Sequence, residues 1–428
     1  MTTLLSNFRA AQQLHQPPAR RPAFAVVFGY FLVAGVATVM LGPTLPLLAE
    51  RWSLPDAQLG TLFFAYFAGQ LSGAWFATRR LGVSLLLGSA ASAIGFCALA
   101  FAGSTAAHAL LFMIGVGIGA GLTAGNVIVG TIDDFCGETP DQEASRSSRS
   151  RLLALLNLSW GIGAITCPLW LRVSVRLSHF AGVLRLSNSA EQSTAVFFTG
   201  LAIAFAGIAA LVAWLLPPRF YLQAESAKAH PRLAWKSPWV FVATMALYVG
   251  VENALAGWLP TYAQRLATGG VLSGRAAEIA LCFWVAELAG RALTAIVIKR
   301  LDEHIFYRTC LLILITTIVA LVVSPRLDEG WLFGLTVLVA LSLSPIFPLA
   351  VSFLLARIGS DPKIGKIFAS ASLGGSLLPW LTGIGSAWFQ SLRVGFVVPA
   401  TGAIFILVLS LYLPSTGTAP EEASHQGF

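Results

Sequence analysis

Three ionisable residues stand in runs that are otherwise apolar. Glu252 lies inside ALYVGVENALAGWLPTYA (246–263), next to Asn253. Glu287 and Arg291 lie in the following apolar run, four residues apart. On a helix that spacing puts both on one face, so they can form an ion pair within the helix, or serve a gate or a ligand. Glu252 has no opposite charge within its own run. A carboxylate in such a place can carry a proton, because removal from water favours the neutral carboxyl. It can hold a cation such as Na⁺, or accept hydrogen bonds from a hydroxyl-rich ligand. A fourth reading gives it no such work and leaves it protonated, or bonded to Arg291 across helices.

A second set of residues suits a sugar. Gln70, Asn126, Asn157 and Asn253 are amides, which donate and accept at once and so match hydroxyl groups. Trp160, Trp258, Trp284 and Trp380 offer flat apolar faces to the C–H side of a pyranose, and Tyr66 adds a phenol. The alternative for the indoles is packing or anchoring at the bilayer surface. Trp52, Trp239 and Trp331 fall near the ends of apolar runs, where anchoring is the better reading.

These residues need elements that cross a membrane. Hydrophobic residues make up 56% of the chain and charged residues 11%, against about 25% charged in a soluble domain. Mean hydropathy is +0.77. Apolar runs of about 20 residues, the length that spans a bilayer as helix, recur along the whole chain. Barrel strands would alternate over short segments, which these runs do not do. The net charge of +8 is scattered between the runs, as topology signals are, and does not point to nucleic acid. The five cysteines show neither a disulfide ladder nor metal spacing, so no cofactor is expected beyond a coupling ion. The six histidines lie in tails, loops or run ends, and neither a nucleophile motif nor a phosphate loop is present, which argues against a membrane-embedded enzyme. GVGIGAGLTAG (115–125) sits inside a run and reads as close helix packing, not as a nucleotide loop.

The runs predict an all-α membrane protein of twelve spans: 23–49, 57–78, 83–103, 106–132, 152–172, 194–216, 239–263, 276–298, 305–323, 331–356, 364–389 and 394–413. Residues 1–22 form a polar tail, 23–216 a first six-helix bundle, 217–238 a basic linker, 239–413 a second bundle and 414–428 a final tail. The first run is too long for a signal-peptide core and is expected to stay as a helix. The segment 133–151 reads as a solvated loop, and Arg172, Arg176 and Arg185 are placed in a short loop after span five. Most of the 27 Lys and Arg residues fall where both termini, the linker and the even-to-odd loops would be cytoplasmic. The loop after span five goes against that bias. Prolines in LGPTLP (41–46) and SPIFP (344–348) predict kinks. An internal repeat is visible: TLPLLAERW (44–52) matches WLPTYAQRL (258–266), RRL (79–81) matches KRL (299–301), and Gly163 with Pro168 matches Gly374 with Pro379. The halves are therefore parallel duplicates that rock about a central site.

Twelve spans, a duplicated unit and a basic linker resemble the major facilitator superfamily along nearly the whole chain. YVGVENALAGWLPTYA, LLNLSWGIGAITCP (155–168), LSPIFPLAVS (343–352) and GGSLLPWLTG (374–383) resemble helices 7, 5, 10 and 11 of its fucose–galactose–glucose permease branch and the related sodium-dependent glucose transporter-like proteins. The sequence departs from that pattern in three places. Ala77 stands where the superfamily usually has Asp after helix 2. Leu122 stands where fucose-type members have the helix-4 Glu of Glu-x-x-x-Asn, although Asn126 matches. Helix 1 has no internal carboxylate, since Glu50 is at its outer end.

The resemblance implies a secondary active transporter of the cell (inner) membrane, likewise with both termini cytoplasmic, acting as a monomer by alternating access. Its expected cargo is a small polar solute, a sugar first of all, with Na⁺ or H⁺ as coupling ion. An exporter of amphipathic compounds is the alternative. Helices 1, 4, 7 and 10 are expected to line a central chamber, with Glu252 facing it near Asn253 and across from Asn126 and Asn157. With the fucose-type carboxylates missing, Glu252 is the expected coupling residue.

Overall fold

The computed structural model describes residues 20–77, 81–136, 142–180, 189–216, 238–267, 274–298, 301–324, 328–358 and 364–412. Among these residues all regular structure is helical. α1 is broken into Arg20–Val39 and Leu41–Trp52; α2 spans Asp56–Phe76, α3 Leu81–Phe101, α4 Ser104–Cys136, α5 Gln142–Phe180 and α6 Ser189–Leu215. α7 spans Pro238–Leu266, α8 Arg275–Val297, α9 Glu303–Val323, α10 Glu329–Leu343 and Ile346–Ile358, α11 Ile364–Phe389, and α12 Leu392–Gly395 and Val397–Leu409. Nine of these spans, ten with bent α1, are long and apolar enough to cross a membrane. α2 and α11 are long enough too but less apolar, and they pack closely against each other. The chain is a multi-pass membrane protein.

The helices outrun the apolar runs that predict them. α4 continues to Cys136 and α5 begins at Gln142, so most of the expected loop 133–151 is helix. Arg172 and Arg176, expected in a loop, lie on α5, which continues to Phe180. Hydropathy falls where the chain leaves the hydrocarbon, but Ala, Glu, Gln and Arg are good helix formers and the backbone ladder continues through them. Of the linker 217–238 only Pro238 is described, as the first residue of α7. The rest of the linker and nearly all of both tails lie outside the described residues.

The expected kinks have a backbone cause. Proline has no N–H for the carbonyl four residues earlier. Pro43 thus frees the carbonyl of Val39, where α1 bends by 48°. Pro345 frees that of Leu341, and the Ser344 hydroxyl takes it up at 2.9 Å where α10 breaks. Asp302 and Asp328 cap α9 and α10 by accepting from Ile305 N and Trp331 N, each at 2.8 Å.

The repeat seen in the sequence recurs as a packing contact. A Cβ on Gly163 of α5 would strike the carbonyl of Leu32 on α1. A Cβ on its counterpart Gly374 of α11 would strike the carbonyl of Ala246 on α7. In each half the same pair of helices therefore crosses backbone to backbone at the same place. The Gly run of α4 works in the same way, with Gly115 and Gly119 against the α2 backbone and Gly117 against that of α3. Small residues let helices approach where lipid supplies no hydrophobic drive between them.

These crossings set up a contrast between two substitutions. Gly374→Leu should lower the Tm of the detergent-solubilised protein or abolish its expression, since forced overpacking costs about 1–3 kcal/mol or more. Gly207→Leu, with nothing within 4 Å of its Cβ position, should be near neutral. Equal melting of the two variants would show that the α7–α11 crossing is not tight.

Candidate functional site

The three intramembrane charges meet on the seam between α7 and α8. Arg291 Nη2 donates to Glu287 Oε1 at 2.5 Å and reaches Glu252 Oε1 at 3.4 Å. Tyr248, one turn before Glu252 on α7, donates its hydroxyl to the same Oε1 at 2.8 Å. Glu252 is 8% exposed and Glu287 2%. The cluster therefore holds two carboxylates against one guanidinium in a place with little water. An uncompensated charge is costly there, and one further positive charge, a proton or a cation, balances it. The N-terminal half reaches the cluster through Trp160 of α5. Its ring lies 6.0 Å from the Arg291 guanidinium carbon and packs edge-on against Trp284 of α8 at 5.8 Å.

The other expected site residues are dispersed. Glu252 is mostly buried, with its carboxylate held by Arg291 of α8 and by Tyr248, whereas the Arg291 side chain is 26% exposed. Asn126, Asn157 and Asn253 donate to the carbonyls of Leu122, Leu153 and Val249, each one turn back on its own helix, and none is bonded to Glu252. Asn126 and Asn157 are exposed. Gln70 is buried on α2, and its Nε2 has no partner. Tyr66 donates to the carbonyl of Ala37 at 3.1 Å. Trp258 was expected to present its indole to a sugar. It is fully buried instead, packs on Phe63 of the other half at 6.2 Å and donates Nε1 to the carbonyl of Pro379 at 2.9 Å. Trp284 is nearly as buried, and Trp380 packs against Phe64 at 5.5 Å. In this conformation the indoles close the seam between the halves. A partly open cavity of about 180 Å³ lies elsewhere, lined by α1, α5 and α8.

Sequence reading missed Tyr248, although the four-residue spacing that marked Glu287 and Arg291 also links Tyr248 to Glu252. It also missed a second ionic contact, in which Asp56 of α2 is held by Arg265 of α7 and Ser386 of α11. No local spacing could show it, since the partners are 209 and 330 residues away.

Two repeated helical sets, meeting at a seam beside a buried and charge-imbalanced cluster, define a membrane transporter whose halves move against each other. The chain matches the Major Facilitator Superfamily over residues 26–363 and belongs to that family. It is 24% identical over 393 residues to the glucose/mannose transporter GlcP of Bacillus subtilis, covering 83% of this chain and 86% of that protein. Its fold is similar to that of a bacterial homologue of the human lysosomal transporter Spinster, solved inward-facing and unoccupied, with a TM-score of 0.67 at 17% identity, covering 95% of this chain and 100% of the other. It is also similar to the transporter FucP in its outward conformation, with a TM-score of 0.59 at 18% identity, covering 91% and 98%. Transport by alternating access is thus its activity, and it is not an enzyme.

The cluster predicts a non-additive pattern of stability. Arg291→Gln leaves two buried carboxylates facing each other, and breaking such a pair from one side costs about 3–5 kcal/mol. The double variant Glu287→Gln, Arg291→Gln should recover much of that loss. Thermal melting in detergent checks it, and a double variant no more stable than Arg291→Gln alone would exclude a mutually compensating pair.

Proposed function

We propose that the chain is a proton-coupled sugar symporter of the cell membrane, with Glu252 as the residue that takes up and releases the coupling proton. The observation that carries this reading is the charge balance at the α7–α8 seam. Glu252 shares Arg291 with Glu287, so its charge is only partly compensated while Glu287 holds the closer bond. A proton on Glu252 neutralises the cluster, and its loss makes Arg291 the contested partner of two carboxylates. That exchange is sensed by Trp160 on the opposite half, which gives the charge state a route to the relative position of the halves.

A sugar as cargo is supported by the likeness to a glucose/mannose transporter and to a structure described as a fucose:proton symporter. It is supported too by Gln70, whose amide donor is buried without a partner, and by the exposed Asn126 and Asn157. In this reading Trp160, Trp284, Trp258 and Trp380 flank the sugar once the halves part, Asn253 adds an amide from α7, and the protein acts as a monomer. The basic-residue bias puts the start of α1 in the cytoplasm, so the end of α1 at Trp52 faces outward. Na⁺ is the other candidate for the same charge vacancy.

Proteoliposomes loaded with buffer should accumulate labelled glucose, mannose or fucose when a pH gradient is imposed, and a Na⁺ gradient should not replace it. One pH unit supports up to about tenfold accumulation at one proton per sugar. Glu252→Gln should bring accumulation down to the level set by the external concentration, while exchange between equally loaded compartments persists. Accumulation in Glu252→Gln equal to the native protein would remove the coupling role; loss of exchange as well would make Glu252 a cargo ligand instead. Uptake driven by Na⁺ alone would replace the proton with sodium.

A further inference from the structure

The internal duplication allows one seam between the halves to be compared with its own copy. α2 corresponds to α8 and α5 to α11, so the α2–α11 seam and the α5–α8 seam are counterparts. Both approach closely at the face where α1 ends, called the far face here. The two are not closed in the same way. On the first, Asp56 opens α2 with its side chain 11% exposed, while that of its partner Arg265 is 45% exposed. It accepts from Arg265 Nη1 at 2.9 Å and from Ser386 Oγ at 2.5 Å, with a second bond from Arg265 Nη2. The bidentate guanidinium adds geometric fit to the charge. Beneath it the backbones touch: a Cβ on Gly60 would meet the backbone of Trp380 at 3.0 Å, and one on Gly383 would meet the Asp56 carbonyl at 2.6 Å.

On the copy, the ionic contact between the halves among the described residues is an Arg172–Glu278 pair at 3.7 Å, with side chains 39% and 31% exposed. An exposed pair of that length holds weakly. Glu278 also accepts from Arg275 on its own helix at 2.9 Å, so it is only partly engaged across the seam. The cavity of about 180 Å³ lies on this side, between Pro43, Pro46, Leu171, Arg172 and Ala277.

The difference traces to one duplicated arginine. Arg265 in WLPTYAQRL crosses to the other half. Arg51, which holds the same place in TLPLLAERW, bonds to Thr194 Oγ1 at 2.9 Å and to the carbonyls of Ala100 and Ala102 at 2.9 and 3.1 Å, all within its own half. Among the described residues, the latch that the duplication would have made twice is therefore seen once.

We propose that the far face is gated asymmetrically: the Asp56–Arg265–Ser386 latch holds the α2–α11 seam shut, and the α5–α8 seam over the cavity opens first and admits the solute. This rests on the reading under Proposed function that the halves alternate and that the far face is extracellular.

Single cysteines on each side of the face test it. Thr261 and Ala277 are each 2% exposed, the first one turn below Arg265 and the second lining the cavity. A membrane-impermeant maleimide, applied to right-side-out and inside-out vesicles and corrected for labelling of the native cysteines, reads the opening of each seam. Ala277→Cys should react from outside about tenfold faster than Thr261→Cys, because reaction follows the open population. Asp56→Ala should bring Thr261→Cys up toward that rate, Ser386→Ala should give an intermediate rate, and the exchange Asp56→Arg with Arg265→Asp should slow it again. Glu278→Gln should change Ala277→Cys by less than about threefold. If Asp56→Ala does not fold, Ser386→Ala decides alone. Equal native rates at the two cysteines, or a Thr261→Cys rate unmoved by loss of Asp56 or Ser386, would overturn the asymmetric gate. Labelling with the expected ratio but only in inside-out vesicles supports the gate and refutes the extracellular assignment. Expected labelling without sugar exchange in the same vesicles supports the gate and refutes the sugar reading.

Discussion

A polar group carried into the hydrocarbon core has no water to bond, so its partner must come from the protein itself. In this chain that constraint orders the structure. It makes every span a helix, whose backbone satisfies itself. It explains why the breaks fall at Pro43 and Pro345, and why a serine hydroxyl sits at the carbonyl that Pro345 leaves open. It also brings three side chains, Glu252, Glu287 and Arg291, into one mutually bonded cluster. Three charges with unequal signs in that medium cannot be indifferent to one another or to a proton.

The same constraint decides how the helices meet. Lipid is as apolar as leucine, so close approach rests on shape and on internal hydrogen bonds. The crossings at Gly163 and Gly374 supply the shape, once in each half. Along the seams between the halves, tight backbone packing at Gly60 and Gly383 stands beside ionic contacts such as Asp56 with Arg265. Trp258 sits on such a seam: its ring packs against Phe63 of the other half, while its indole nitrogen bonds to the carbonyl of Pro379 within its own half.

Duplication gives the chain two copies of one design, and the copies have diverged at their charged residues. The charge cluster belongs to α7 and α8 alone; the counterpart spans of the first half carry no such trio. Arg51 and Arg265 diverged without changing residue type. Whether an arginine bridges two bodies or braces one depends on what stands opposite: Asp56 for Arg265, and a hydroxyl with two backbone carbonyls for Arg51.

Much of this was legible in the sequence because the governing signals are local. Hydropathy over about twenty residues marks a span. A four-residue spacing places Glu287 beside Arg291, and a proline marks a kink through its own missing N–H. A repeated motif shows duplication without any fold. Helix ends were less legible, because apolarity stops at the membrane while the backbone ladder runs on through Gln142 and Phe180. Only the tertiary structure decided which distant groups meet: Tyr248 and Arg291 on one oxygen of Glu252, Asp56 with Arg265 and Ser386, and the indole of Trp258 spent on a carbonyl. The reason is physical. A side chain's membership of a helix is fixed by its neighbours in sequence, but its partner is whichever donor or acceptor the packing of other helices brings within about 3 Å.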